Sequence, residues 1–493
     1  MIGRKLLGMR LRTTCFFVFY LGSASLFGDE FDEWVAGQRS RSVTLLQGNI
    51  SPTFAARGAV VAAPSFSHPQ YFSYWVRDGA LAMDVIVTLL SQSQSDADRA
   101  LYSKLLEDYR QFSRKNQLTG NPSGAADDGG LGEPRFDADG TVYQKWGRPQ
   151  NDGAALRALT LIRWANLLLD QNQTDQVRND LYDGKLPSQS VIKNDLEYVA
   201  KVMLDPCVDI WEERQGRHFY TRMVQREALI EGAKLANRLG DGGAAAYYQQ
   251  KAAQLQTEIE KHKDQTRGCL IPTLDDPRSF DLTVVLAILH TDNSADDYLS
   301  AADEFVLGSA YLVISGFDPK SAANPDQFAI NAVTVDRGGA PMGLAIGRYS
   351  GDLYDGDDAR ARADDGSKGV GNGWVLGTLA VGELGYRAAD RIEKLAGLKI
   401  TARNLGLLQR LDPSLAGLSA GTTLNPGQAE FKTVVQGLRR LGESQLRRVR
   451  YHANPDGSLS EQMNRRTGFM WGAPNLSWSH ASFFTAAGRR VKP

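Results

Sequence analysis

Cysteine is scarce in this chain of 493 residues, which contains only three. Cys15 lies in the N-terminal segment, so Cys207 and Cys269 remain to form one disulfide or to stay as two buried thiols. A scaffold stapled by several disulfides is therefore excluded. Cys207 lies close to Glu212 in the sequence, but no histidine nearby completes the pattern of a cysteine enzyme, so we do not assign it as a nucleophile.

Histidine is scarce as well, and the spacing of the six histidines is not that of a metal site: they are His68, His218, His262, His290, His452 and His480. We expect a structural role for each, and we predict neither a metal nor a cofactor. The segment 347–373 invites a calcium interpretation through its acids, which are Asp352, Asp355, Asp357, Asp358, Asp364 and Asp365. It lacks the glycine and the terminal glutamate of an EF-hand, so a solvated acidic loop is the preferred interpretation.

Long apolar runs and an excess of one charge are also missing. After the N-terminal segment, no stretch approaches the ~20 consecutive apolar residues of a membrane helix. The formal net charge is -1, without a basic block or a basic helix face. We therefore predict no nucleic-acid partner and no stable membrane association, and the charge balance suits a polar, neutral substrate.

The N-terminus has the features of an export signal. Basic residues from Arg4 to Arg12 precede a short apolar run, 13–21, and small residues follow at 22–24. This pattern predicts a signal peptide over residues 1–28 and a secreted or periplasmic mature protein. An uncleaved anchor is the alternative, although the run is short for a membrane span.

Apolar residues recur at helical spacing along most of the chain, and strand-like alternation is brief. Residues 154–169 are apolar almost all round, which predicts a helix buried on more than one side. Further helices are expected at about 33–47, 76–92, 191–204, 296–314, 373–395, 428–449 and 476–487. About a dozen helices without a fixed repeat favour paired helices closed into a ring over a repeat solenoid. We predict one all-α catalytic domain over 29–493, acting as a monomer.

Long connections separate these helices, and they combine acids or amides with aromatic residues. The connections are 118–152, 205–220, 347–373 and 451–475, and such loops are where function usually lies. Sugars need this mixture, because their C–H faces stack on aromatic rings and their hydroxyls take charged hydrogen-bond partners. On residue types alone, tryptophans in the core and acids on a solvated surface remain the alternative.

Glycosidic cleavage needs one protonated carboxyl for the leaving oxygen and one carboxylate for water or the anomeric carbon. Glu212 follows Trp211, an indole that is expected to desolvate this acid and to contribute to substrate binding. Adjacent Arg77 and Asp78 are suited to hold neighbouring hydroxyls.

Four blocks resemble the fungal-type glucoamylases of glycoside hydrolase family 15, in the order of that family: 71–90, 130–158, 209–240 and 459–490. The resemblance extends from about Asp32 to Arg490. It implies an (α/α)6 barrel of six inner and six outer helices, with long active-site loops on one face. It also implies an inverting, exo-acting enzyme that releases β-glucose from the non-reducing ends of α-1,4-glucans, with slower α-1,6 cleavage.

The resemblance also implies individual roles. Glu212 matches the general acid, Glu461 matches the general base, and Glu213 is expected to bind the neighbouring sugar. Residues matched to the innermost subsite are Tyr71, Trp75, Arg77, Asp78 and Trp478. Trp146 matches a tryptophan in the loop that roofs the acid, and Trp374 matches a more distant wall residue. Arg348 and Asp352 match an arginine and an acid that bind sugar hydroxyls.

Two other functions remain open on the sequence. One is another α/α-barrel glycosidase, directed at dextran, isomalto-oligosaccharides or trehalose. The other is a glucan-binding module without catalytic activity. The presence of both Glu212 and Glu461 favours the enzyme.

Overall fold

The computed structural model describes residues 26–125, 129–275, 280–291, 296–320, 328–356 and 371–491. Most of the expected signal peptide, including Cys15, lies outside these residues, as do Asp357, Asp358, Asp364 and Asp365 of the acidic segment. The first described helix begins at Leu26, within the range 1–28 expected for the signal.

The described part of the chain forms fourteen helices and eleven short strands. The helices are α1 Leu26–Gly48, α2 Val76–Gln92, α3 Asp96–Leu118, α4 Gly153–Asp170, α5 Thr174–Gln176, α6 Val191–Val202, α7 Phe219–Arg238, α8 Gly242–Glu260, α9 Thr283–Thr291, α10 Glu304–Gly316, α11 Val375–Leu395, α12 Leu405–Leu411, α13 Ala429–His452 and α14 Ser477–Gly488. The strands are β1 Ser73–Trp75, β2 Arg135–Asp137, β3 Cys207–Val208, β4 Gln215–Gly216, β5 Lys263–Asp264, β6 Cys269–Leu270, β7 Gly373–Trp374, β8 Leu398–Lys399, β9 Thr423–Leu424, β10 Gln462–Met463 and β11 Met470–Trp471.

Six helices form a closed inner ring, in the order α2, α4, α7, α9, α11 and α14, and α14 packs against α2 to complete it. The outer helices α3, α6, α8, α10, α13 and α1 pack against these six in turn. This arrangement confirms the predicted all-α (α/α)6 barrel. Helix α4 is buried along most of its length, as its continuous apolar surface predicted.

Two predictions about helices were inaccurate. The helix expected at 296–314 begins only at Glu304, because the carboxylate of Asp303 accepts the backbone N–H groups of Phe305 and Val306 and so caps the first turn. Helix α9 was not predicted, since its nine residues are almost uniformly apolar and show no period.

Short strands precede two inner helices and fix where those helices begin. Strand β1 runs directly into α2 and pairs with β2, so that Trp75 lies opposite Arg135. Strand β7 runs directly into α11 and pairs with β10, and β10 pairs with β11 on its other edge. The N-terminal ends of these helices therefore lie beside loops from distant parts of the chain.

Both remaining cysteines are buried free thiols, so the alternative of a disulfide is excluded. Burial raises the pKa of Cys207 to about 12, which makes it a poor nucleophile. Within the described ranges, no helix has the length and apolar character needed to cross a membrane.

Candidate active site

A cavity of about 490 Å³ opens where inner helices α2, α11 and α14 begin. Each of the four long connections contributes to its wall. The two proposed catalytic acids line this cavity. So do all but one of the other site residues predicted from the sequence. The lining residues from both groups are Tyr71, Trp75, Arg77, Asp78, Trp146, Trp211, Glu212, Glu213, Arg348, Trp374, Glu461 and Trp478.

Glu212 lies at the tip of a hairpin between β3 and β4. The backbone N–H of Glu212 donates to the carbonyl of Asp209 at 2.9 Å, and the Asp209 carboxylate accepts the N–H of Glu213 at 2.8 Å. Glu212 itself has φ of 66°, a left-handed conformation that is uncommon for a residue with a side chain. Such strain is retained where the surrounding structure determines it, and here the turn projects Glu212 into the cavity.

The two oxygens of the Glu212 carboxyl group have different surroundings. Oε1 accepts the indole N–H of Trp75 at 2.8 Å and the amide of Gln150 at 3.1 Å, and it lies 3.6 Å from Nη2 of Arg77. Among the described residues, no hydrogen-bond donor reaches Oε2. The side chain is 19% exposed, so Oε2 is the atom that is available to a ligand.

The indole that contacts Glu212 is therefore that of Trp75, and Trp211 has other partners. Its indole N–H donates to Asp281 at 2.9 Å, and its ring packs against that of Trp374. Trp211 still lines the cavity, but it belongs to the wall beneath Arg348.

Glu461 lies just before β10 and is only 1% exposed. Its Oε1 accepts the hydroxyl of Tyr71 at 3.1 Å, and its Oε2 lies 3.3 Å from the hydroxyl of Tyr354. Burial raises the pKa of Glu461 to about 8, and the two hydroxyls and the charge of Arg348 oppose that rise.

The two carboxyl groups contact neighbouring aromatic residues. Tyr71, which bonds Glu461, packs against Trp75, which bonds Glu212, with ring centroids 5.2 Å apart. Each acid is therefore held by a different member of this aromatic pair.

Arg77 and Asp78 occupy the first turn of α2. Arg77 donates to the Asp152 carboxylate at 2.9 Å and to Gln150 at 3.2 Å, so its guanidinium is held from behind. Burial raises the pKa of Asp78 to about 6, although Arg77 opposes this effect. Both side chains reach the cavity, next to Trp478.

Arg348 and Glu213 form an ion pair on another side of the cavity, with Nη2 and Oε1 2.7 Å apart. The hydroxyl of Tyr349 also donates to Glu213. Asp352 is the one predicted site residue outside the cavity wall. It lies behind Arg348, whose guanidinium it binds through both carboxylate oxygens, so it holds Arg348 in place.

The sequence matches the family described as glycosyl hydrolases family 15 over residues 43–488. The chain belongs to this family. It is 35% identical over 477 residues to a glucoamylase from Blastobotrys adeninivorans, covering 94% of this chain and 73% of that protein. A glucoamylase from Saccharomyces cerevisiae, described as intracellular and sporulation-specific, is 28% identical. The match covers 95% of this chain and 86% of that protein.

Solved structures show the same likeness. The glucoamylase from Saccharomycopsis fibuligera superimposes with a TM-score of 0.80 at 30% identity, covering 93% of this chain and 95% of that one. The resemblance inferred from the four sequence blocks is thus confirmed. This family member is a glycoside hydrolase, a glucan 1,4-α-glucosidase.

Several residues of the cavity were not identified from the sequence. They are His68, Gln70, Arg135, Tyr143 and Tyr354. Tyr354 follows Asp352 closely within an aromatic and acidic stretch, which is a signal that could have found it. Arg135 offered no such signal, because its place depends on the pairing of β1 with β2.

The described part of the chain contains no cluster of three or more His, Cys, Asp and Glu side chains that is arranged to hold a metal ion. Asp352, which was considered for a calcium site, is paired with Arg348 instead.

Proposed function

We propose that this enzyme removes single glucose units from the non-reducing ends of α-1,4-glucans with inversion of the anomeric carbon. Starch-derived dextrins and maltooligosaccharides are the proposed substrates, and α-1,6 bonds are cleaved more slowly. The observation that carries the proposal is that two carboxyl groups with different hydrogen-bond partners line one cavity.

Glu212 is the proposed general acid. Its Oε1 takes both hydrogen bonds, from Trp75 and Gln150, so the proton belongs on the unbonded Oε2 that faces the cavity. From there it is transferred to the glycosidic oxygen as the bond breaks. The leaving sugar departs with that oxygen as its hydroxyl group.

Glu461 is the proposed general base. A carboxylate at this position takes a proton from the water that attacks the anomeric carbon on the side opposite the leaving group. Inverting enzymes keep their two carboxyl groups roughly 6.5–9.5 Å apart to leave room for this water. The two acids are held by different aromatic residues of the cavity wall, Glu461 by Tyr71 and Glu212 by Trp75, which supports a separation between them.

The other wall residues are proposed to bind sugar. Arg77 and Asp78 hold hydroxyls of the terminal glucose, against the rings of Tyr71, Trp75 and Trp478. Glu213 and Arg348 hold the next sugar, with Trp146, Trp211 and Trp374 as the surrounding wall. Asp352 is proposed to contribute indirectly, by holding the guanidinium of Arg348 in place. A cavity of about 490 Å³ is of the size that encloses a small ligand, which supports action at a chain end.

Proton NMR of the anomeric region tests the proposal, with maltotriose and isomaltose as separate substrates. β-Glucose appearing first from maltotriose, faster than from isomaltose, is the expected result. Early α-glucose would overturn the role of Glu461 as a base. Faster cleavage of isomaltose, or cleavage of trehalose alone, would overturn the proposed linkage.

We also propose that residues 1–28 direct export to a secreted or periplasmic location and that 29–493 form one monomeric catalytic domain. The basic and apolar pattern of the first residues supports export. Expression of the full chain, followed by N-terminal sequencing of the protein outside the cytoplasm, tests this. Retention of the intact N-terminus inside the cell would contradict it.

A further inference from the structure

Arg135 is a buried cation in the wall of the active-site cavity. It is 2% exposed, and its guanidinium lies against three aromatic rings. Its Cζ is 4.1 Å from the ring centre of Trp75, 3.8 Å from that of Tyr143 and 4.3 Å from that of Trp146. These distances are well within the ~6 Å at which a cation and an aromatic face attract each other.

The groups that accept hydrogen bonds from Arg135 are neutral. Its Nη2 donates to the carbonyl of Gln70 at 3.0 Å and to the hydroxyl of Ser73 at 3.1 Å. No carboxylate forms an ion pair with it among the residues that the structure describes. Burial therefore lowers the pKa of Arg135. A buried charge without a contact ion pair is costly, and the aromatic faces help to compensate it, together with the more distant charges of Glu212 and Asp137.

The position of Arg135 follows from strand register. Arg135 in β2 lies directly opposite Trp75 in β1, so their side chains are on the same face of the ribbon. Trp75 in turn packs edge to face against Trp146, with ring centroids 5.6 Å apart and an interplanar angle of 75°. One guanidinium thus contacts both indoles, in addition to the contacts of Trp75 with Tyr71 and of Trp146 with Tyr143.

Trp75 connects this arrangement to the chemistry. Its indole N–H is bonded to Oε1 of Glu212 at 2.8 Å, and that bond leaves Oε2 to carry the proton. A rotation of the indole would remove one of the two hydrogen bonds to Oε1, leave only that from Gln150, and so loosen the carboxyl group. Catalysis by a proton donor depends on such alignment, and a displacement of about 1 Å can reduce the rate on the order of 10²-fold.

We propose that Arg135 is a positioning residue for hydrolysis, which holds the Trp75 and Trp146 indoles and through Trp75 orients Glu212 toward the glycosidic oxygen. This inference rests on the proposed role of Glu212 as general acid. A planar guanidinium suits the task, because it stacks on several rings while donating in its own plane, which an ammonium group does not do.

A double-mutant cycle of Arg135→Met and Trp75→Phe tests the proposal, with kcat and KM for maltotriose as readouts. Arg135→Met is expected to lower kcat about tenfold with KM changed less than about threefold, because only alignment is lost. In the Trp75→Phe background, where the bond to Glu212 is already absent, it is expected to lower kcat less than about twofold further.

Arg39→Met is the matched control. This guanidinium also stacks on an aromatic ring, that of Phe484 at 4.0 Å, but it lies outside the active-site cavity. Its replacement is expected to leave kcat and KM unchanged. Should Arg135→Met fail to fold, the same cycle with Arg135→Lys replaces it, with a smaller expected loss of about threefold that again disappears in the Trp75→Phe background.

An unchanged kcat in a folded Arg135 variant would overturn the proposal, and so would an equal loss with and without the Trp75 indole. Wild-type protein without activity on maltotriose would instead refute the proposed function. The two failures are therefore distinguishable in one experiment.

Discussion

The hydroxyl of Tyr354 provides a direct test of what opposes the raised pKa of Glu461. It lies 3.3 Å from Oε2 of Glu461, and the hydroxyl of Tyr71 lies 3.1 Å from Oε1. Burial raises the pKa of Glu461 to about 8, and both hydroxyls lower it by donating to the carboxylate. The substitution Tyr354→Phe keeps the ring and removes one of the two donors.

The size of the effect follows from hydrogen-bond energies. A bond to a charged acceptor contributes about 1.5–3 kcal/mol and a bond to a neutral one about 0.5–1.5 kcal/mol, so the ionised form is favoured by about 1 kcal/mol. One pKa unit corresponds to about 1.36 kcal/mol. We therefore expect Tyr354→Phe to raise the pKa of Glu461 by about 0.7.

The pH dependence of kcat/KM for maltotriose measures this change. A general base must be ionised, so activity rises as the pH increases through the pKa of Glu461 in the free enzyme. Raising that pKa moves the acidic limb of the profile to higher pH. Tyr349→Phe is the control, because its hydroxyl bonds Glu213 rather than Glu461. A limb that stays in place in Tyr354→Phe, or that moves equally in the control, would show that the Tyr354 hydroxyl does not lower the pKa of Glu461.

Four further outcomes are expected. Glu212→Gln should abolish turnover of maltotriose while calorimetry still detects its binding, because an amide is no proton donor of this kind; normal turnover would remove Glu212 from its role. Glu461 has a folded-state pKa above its unfolded value of about 4.3, so its contribution to stability is lost as the pH rises from there to about 8. Glu461→Gln should therefore melt at a higher temperature than wild type at the alkaline end of this range and not at the acidic end, and equal differences at both ends would contradict this. Asp352→Asn should raise the KM for maltotriose about tenfold, because Arg348 loses its bidentate partner; steady-state kinetics with a normal KM would argue against it. Incubation with EDTA should leave activity intact, and a loss that calcium restores would show a metal requirement.

The fold could be predicted where helices are long and their apolar surface is distinctive. Helices α2, α4 and α11 met that condition, and all three belong to the inner ring. Helix α9 belongs to the same ring, yet its uniform apolar run has no period that distinguishes it from a buried strand. The start of α10 depended on one side-chain cap at Asp303, which periodicity does not reveal.

The site could be predicted where acids and aromatics are neighbours in the sequence. Arg77, Asp78, Glu212 and Glu213 share that feature, and the structure brings them to one cavity. Partners that arrive from distant segments could not be found in this way. Gln150 reaches Glu212 from another loop, and Arg135 reaches Trp75 only through the register of β1 and β2.

The two central glutamates show why residue type alone cannot assign their roles. Glu212 lies at a strained turn, is partly exposed and receives both hydrogen bonds on one oxygen, which leaves the other free to carry and deliver a proton. Glu461 is almost fully buried and receives the hydroxyls of Tyr71 and Tyr354, which lie 2.8 Å from each other, an arrangement that stabilises a carboxylate against the cost of its burial. The proposed division of labour between acid and base therefore rests on Trp75 and Gln150 around one carboxyl group and on two tyrosines around the other.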